Sequence, residues 1–321
     1  MKKIMFLFAI FSWLIHAGDT SEIEPMQDMI TPDKNNGLLT FFRPYVLVDG
    51  EKTELDDGKA LVLVLPGFNI KPDSMDFMMD LFASRGIPSI LLNFDGCKVG
   101  DTKEQMTFEK WLKNATDGIE IAINTAQAFN RKLLIVGHSN GATYAQYALS
   151  QMSMKNALPV DVKIGLVLLA PADGLKSLRQ ILNMPNLPEN NRDLLEQVKN
   201  DFWLRLGLFV VPLGQMICGG HAAQQFLTFE SLEALINPGV ELREGKGVPY
   251  PQNIKALRVF HEDDGLMDYF IYYETDYKNY TNLNLGTYEN SVLAHTFEYL
   301  KGDPEVANLL LDQIFDHFKS L

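Results

Sequence analysis

Residues 132–155 constrain the fold more than any other stretch. Lys132-Leu133-Leu134-Ile135-Val136 is a short aliphatic run that reads as a buried strand. From Ala142 to Met154, the residues Tyr144, Ala145, Tyr147, Ala148 and Met152 recur at helical spacing among good helix formers. Gly137-His138-Ser139-Asn140-Gly141 joins the two, a G-x-S-x-G sequence. A serine on so tight a strand-to-helix turn carries strained backbone angles, and glycines two residues to either side relieve the crowding. The turn lifts the hydroxyl clear of the strand, while the helix start beneath it supplies unpaired N–H groups and a positive dipole. A strand before the pattern and a helix after it are the context in which it marks a nucleophile, here Ser139.

The remainder alternates in the same way. Leu38 to Val48 reads as a long strand, Asp49-Gly50 as a hairpin turn and Glu51–Leu55 as the return strand. Leu61–Leu65 is apolar on both faces, as a central parallel strand is. A helix is expected over Pro72–Ser84, a strand over Ser89–Phe94, and a long helix over Thr107–Phe129 with Thr107 as its cap. Val162–Ala170 and Ile254–Phe260 are further strands, Gly265–Tyr277 a helix and Asn282–Thr287 a last strand. Asp303 caps the final helix with Pro304 at its first position, and Val306, Leu309, Leu310, Ile314, Phe315 and Phe318 are its candidate buried face. This pattern predicts an α/β chain: a mostly parallel central sheet flanked by helices on both sides. Residues 38–173 and 251–321 form that core. Residues 174–250 interrupt it with helical periodicity punctuated by Pro185, Pro188, Pro212 and Pro238, too long for a connection, and read as a helical lid or cap.

Residues 18–37 are polar with Pro25 and Pro32, an extended lead-in. Before them, Met1-Lys2-Lys3, the apolar run Ile4–Ile15 and His16-Ala17-Gly18 have the layout of a cleavable signal peptide over residues 1–17. The apolar run is too short to span a bilayer, so no integral membrane segment is expected after cleavage, and the protein is expected to be secreted or periplasmic. Export permits a disulfide between Cys97 and Cys218, but two buried thiols fit the sequence equally well. A net charge of −13 argues against nucleic acid as a partner. No H-E-x-x-H, no paired C-x-x-C and no nucleotide-binding glycine loop occurs, so neither metal nor other cofactor is expected.

Five stretches together carry a family likeness: Leu65-Pro66-Gly67-Phe68, Asn93-Phe94-Asp95-Gly96, the G-H-S-N-G turn, His261-Glu262-Asp263-Asp264 and Ala294-His295. Over residues 38–320 the chain resembles the α/β-hydrolase-fold serine hydrolases, whose roles follow the chain order Ser, Asp, His. Pro66 stands where that family commonly has histidine, a position whose contribution comes from backbone. The resemblance implies Ser139 as nucleophile and His295 as general base. His138, His261 and His317 are read as structural, His221 as part of the lid. Asp264 matches the register of the acid that orients the base, with Asp263 and Asp173 as alternatives. The backbone N–H groups of Asn140 and Phe68 (or Asn69) would form the oxyanion hole. Asp95 and Gly96 either shape the mouth of the site or simply make a turn.

A serine at the turn favours acyl transfer over the chemistry of family members that carry aspartate there. The expected function is hydrolysis of a small-molecule carboxylic ester, carboxylesterase- or lipase-like, through a Ser-His-Asp triad and an acyl-enzyme. The apolar lid suggests an apolar acyl or aromatic group. Peptidase or thioesterase activity would use the same triad, and a non-catalytic binding protein on this fold is the remaining alternative.

Overall fold

Each aliphatic run read as a strand is one in the computed structural model of the protein, which describes residues 23–28, 38–48, 51–54, 58–67, 75–95, 107–174, 254–264, 267, 272, 279–288 and 291–319. The strands are β1 (Ile23–Asp28), β2 (Leu39–Val48), β3 (Glu51–Glu54), β4 (Ala60–Leu65), β5 (Ser89–Leu92), β6 (Lys132–His138), β7 (Ile164–Leu169), β8 (Lys255–Phe260) and β9 (Tyr280–Asn284). They form one sheet in the order β1-β2-β5-β4-β6-β7-β8-β9, with β3 also paired to β2. From β5 to β9 every pairing is parallel, whereas β2 is antiparallel to β1, β3 and β5. Val48 pairs with Glu51, the register of a two-residue hairpin connection. The expected lead-in holds β1, an edge strand whose Pro25 lies opposite Pro44; an edge tolerates proline because it has a free side. The last strand begins two residues earlier than the sequence pattern suggests and ends at Asn284.

Helix α1 (Asp76–Ala83) connects β4 to β5 on one side, and α2 (Phe108–Ala128) then carries the chain to β6 on the other side of β4. The strand order therefore reverses between β4 and β6, and open α/β sheets form their crevice beyond the strand ends at such a point. Leu65 of β4 lies in register with Gly137 of β6, so the serine turn emerges there.

Alternation along β4 fills both faces. Leu61, Leu63 and Leu65 pack with Trp111, Ala115 and Ile119 of α2 and with Tyr144 and Ala145 of α3 (Asn140–Met154). Val62 and Val64 face the opposite core, with Met78 and Phe82 of α1 and Leu310 and Ile314 of the last helix. Gly118 lets α2 settle on β5, since a Cβ there would stand 2.7 Å from Leu92 Cδ1. Thr107 caps α2 by accepting from Lys110 N–H at 3.3 Å, as its position predicts.

Beyond β9 come α4 (Ser291–Thr296), a 3-10 turn (Glu298–Lys301) and α5 (Pro304–Phe318), the last capped by Asp303 at 3.1 Å from Val306 N. The buried stripe of α5 is Ala307, Leu310, Leu311, Ile314 and Phe318, and Leu309 is 59% exposed. The expected face is corrected accordingly: a stripe that starts at Ala307 recurs at three- and four-residue steps and passes Leu309 by. The proposed leader, residues 175–250 of the lid region, the helix expected near 265–277 for all but Met267 and Tyr272, Phe68, Asn69, Gly96, Cys97, Cys218 and His221 lie outside the described residues.

Candidate active site

Ser139 is the single residue between the end of β6 at His138 and the start of α3 at Asn140, so α3 begins two residues earlier than its apolar pattern. Its backbone sits at φ 50°, ψ −119°, a conformation that costs a side-chain-bearing residue roughly 1–3 kcal/mol and persists only when its surroundings over-determine it. They do. Ser139 N–H donates to Leu169 O at 2.8 Å, and its carbonyl accepts from Ala142 N at 3.1 Å and Ala172 N at 3.2 Å. The flanking glycines leave no room for substitution. A Cβ at Gly137 would stand 2.5 Å from Ala142 Cα, and one at Gly141 would stand 2.3 Å from the Leu65 carbonyl oxygen. Serine is a favoured N-cap residue, yet the Ser139 side chain makes no cap bond.

His295 and Asp264 meet across the ends of the last strands. His295 Nδ1 lies 2.8 Å from Asp264 Oδ2, and both side chains are buried. A carboxylate only accepts, so Nδ1 carries the proton and Nε2 holds the basic lone pair. The second carboxylate oxygen, Oδ1, accepts the Met267 N–H at 3.1 Å, which fixes the rotation of the group. The two alternative acids are engaged elsewhere. Asp263 Oδ2 accepts from Tyr288 N at 2.7 Å, and Asp173 Oδ2 lies 3.0 Å from Arg258 Nη2 in a fully buried ion pair.

Three other histidines are among the described residues. His138 is buried in the sheet, its Nε2–H donating to the His295 carbonyl at 2.8 Å, and burial pushes it down to about 3. His261 donates from Nδ1 to Gly286 O at 3.2 Å and accepts at Nε2 from Tyr299 Oη–H at 2.7 Å. Burial lowers its pKa and raises that of Tyr299. His317 is likewise lowered by burial, on α5 away from Ser139. Ser139 Oγ makes no hydrogen bond to His295 in this structure; links of this kind are often long before a substrate is bound.

Asn140 directly follows Ser139 and is the first residue of α3. Phe68, the other expected donor, falls outside the described residues. Asp95 is tied to α2: its carbonyl accepts from Trp111 Nε1 at 2.7 Å and its N–H donates to Asn114 Oδ1 at 3.0 Å. Among the described residues, no group of three or more His, Cys, Asp and Glu side chains is arranged to hold a metal ion, and no helix is long and apolar enough to cross a membrane.

The sequence reading missed the Arg258–Asp173 pair, whose signal was an arginine in the middle of the apolar run Ala256–Phe260. The guanidinium lies 4.7 Å from the Tyr280 ring centre and 3.4 Å from the Tyr272 carbonyl. It braces the segment after β7 against the one after β8.

No family model and no curated protein matches the chain. Solved structures do. A soluble variant of monoglyceride lipase from Saccharomyces cerevisiae, in complex with a substrate analog, is 15% identical over 94% of this chain and 96% of its own, with a TM-score of 0.54. Vibralactone cyclase is 10% identical over 96% of this chain and 84% of its own, at 0.53. A hyperthermophilic esterase from the archaeon Pyrobaculum calidifontis is 13% identical over 91% and 85%, at 0.52. At these identities, what is shared is the fold.

Proposed function

We propose that the protein, which has the α/β-hydrolase fold, is a serine hydrolase that cleaves carboxylic esters through an acyl-enzyme. The observation that carries this reading is the buried Asp264–His295 pair, close to a strained serine turn whose hydroxyl caps nothing. In the proposed cycle His295 Nε2 takes the proton of Ser139 Oγ as that oxygen attacks the acyl carbon. Asp264 holds the imidazole in the Nδ1–H tautomer and stabilises the cation that forms. The oxyanion is met by the N–H of Asn140 and, in the same reading, of Phe68; each such donor contributes about 2.7–4 kcal/mol to the transition state. The tetrahedral intermediate collapses as His295 returns the proton to the leaving alcohol. Water then enters by the same route, His295 taking its proton, and the acid leaves as His295 returns that proton to Ser139 Oγ.

The names esterase and lipase among the similar structures favour an oxygen ester over an amide or thioester. The apolar stretch Phe202–Val211 supports an apolar group as the part bound. Export belongs to the same proposal, supported by the basic start, the apolar run and Ala17-Gly18; sequencing the N-terminus of the exported protein tests it.

The test of function is hydrolysis of p-nitrophenyl esters from acetate to palmitate, with Ser139→Ala as the blank. A rate that depends on Ser139, together with covalent labelling of Ser139 by a fluorophosphonate, is expected. A rate equal to the blank across the series, with no labelling, would overturn the enzyme reading and leave a binding role.

A further inference from the structure

His295 must travel to reach the serine. It lies beyond β9, and β9 stands three strands from β6 in the order β6-β7-β8-β9. Neighbouring strands are about 4.8 Å apart, so the segment has to return roughly 14 Å across the strand ends. His295 itself sits on α4, six residues long, too short to hold itself and with carbonyls that have no partner within the helix. Phe297 then ends it at φ 59°, a left-handed conformation that an aromatic residue seldom adopts. Some contact from outside has to fix this helix against the serine turn.

Outside its own helix, His295 makes two hydrogen bonds among the described residues. One is to Asp264; the other is from His138 Nε2–H to the His295 carbonyl at 2.8 Å. The rings of His138 and His295 are 5.2 Å apart, and Phe297 stands edge-on to His138 with centres 6.3 Å apart. Because Nε2 faces a carbonyl, it carries the proton, and the Nδ1 acceptor of His138 is left buried without a partner among the described residues. An orphaned buried acceptor opposes folding, and an aliphatic side chain would not bring that cost. The chain carries it at the residue next to Ser139.

We propose that His138 is a positioning residue whose bond to the His295 carbonyl sets the general base against the nucleophile. The proposal rests on the triad reading above. The groups that face the His138 ring are His295, Phe297 and, behind His295, Asp264. Burial keeps His138 uncharged, so it holds His295 without competing for its proton.

Two variants of matched shape separate the donor from the bulk. His138→Gln keeps an N–H at about the reach of Nε2, and His138→Met removes it. The methionine variant is expected to lose about 10- to 100-fold in kcat with KM unchanged, the size of effect a small misplacement of a catalytic group produces. The glutamine variant should stay within about threefold of the parent. Amide hydrogen exchange at residues 294–297 should speed up in His138→Met and not in His138→Gln. Equal behaviour of the two variants in both measurements would overturn the proposal. Should His138→Met fail to fold, His138→Asn, too short to reach the carbonyl, replaces it in the comparison. A parent protein that hydrolyses no ester and takes no fluorophosphonate label would sink the triad reading, while the exchange difference would still decide whether the tether exists.

Discussion

Asp264→Asn tests the proposed chemistry most sharply, because the structure leaves the amide no good orientation. In the parent, Oδ2 accepts the His295 Nδ1–H at 2.8 Å and Oδ1 accepts the Met267 N–H at 3.1 Å, so both oxygens act as acceptors. Asparagine has one acceptor and one donor. If its oxygen stays toward Met267, its NH2 faces His295 and forces the imidazole into the tautomer with the proton on Nε2. The base is then blocked. If its oxygen turns to His295, the NH2 faces the Met267 N–H, and two donors meet in a site only 1% exposed. Leaving such a buried group unsatisfied costs about 1–3 kcal/mol. The first orientation therefore dominates. Holding the wrong tautomer lowers kcat by about 10⁴ in triads of this kind, equivalent to roughly 5.4 kcal/mol of transition-state stabilisation. The assay is kcat and KM on the best p-nitrophenyl ester across pH, with Asp263→Asn alongside. An amide oxygen at residue 263 can still accept from Tyr288 N–H, so that variant should keep its rate within about threefold. An Asp264→Asn enzyme within tenfold of the parent, or an Asp263→Asn enzyme that falls with it, would refute the assignment of the orienting acid.

Three further outcomes follow from packing and charge. Gly141→Ala would put a Cβ 2.3 Å from the Leu65 carbonyl oxygen and 2.4 Å from that of Pro66; backbone cannot step aside, so a loss of about 1–3 kcal/mol in urea unfolding is expected together with loss of activity. Arg258→Met leaves the buried Asp173 carboxylate without its guanidinium and should cost about 3–5 kcal/mol, much of which the double variant with Asp173→Leu recovers. His138, depressed from 6.5 to about 3, should show imidazole resonances that stay fixed from about pH 8 to about pH 5. Its unfolded form takes up a proton first, so stability present above about pH 6.5 is lost as pH falls toward 3. His261 and His317 shift in the same direction. His138→Gln should lessen the acid-side fall in the urea midpoint, and an unchanged slope would count against a neutral buried His138.

The strands, the serine turn and the helix caps at Thr107 and Asp303 are legible in the sequence because each is a local property of a few neighbouring residues. The edge strand β1 is not, since its pairing with β2 is made by main chain and its polar residues carry no alternating pattern. Pairings between distant side chains are hardest to read. Asp263 and Asp264 are adjacent and chemically equivalent in the sequence, yet one grips Tyr288 and the other His295. Asp263 lies in the turn that follows β8 and Asp264 just past it, so a shift of one position exchanges the two partners. The resemblance to a family supplied the register that the residues alone left open.

Backbone strain marks the site independently of any motif. Among the described residues, five that are not glycine have positive φ: Asn130, Ser139, Asn156, Ala170 and Phe297. The two asparagines follow the ends of α2 and α3, where asparagine tolerates the left-handed region through its own side chain. The other three have no such excuse. Ser139 follows β6, Ala170 follows β7 and Phe297 follows the helix that carries His295. Each is clamped: Ser139 by Leu169 and Ala172, Ala170 by its N–H to Val259 O at 2.8 Å, Phe297 by full burial against His138 and His261. Strain of this kind survives only where the surrounding structure is rigid enough to impose it. Its concentration at the ends of β6 and β7 and beside His295 points to the same place as the serine turn, without use of the G-x-S-x-G pattern.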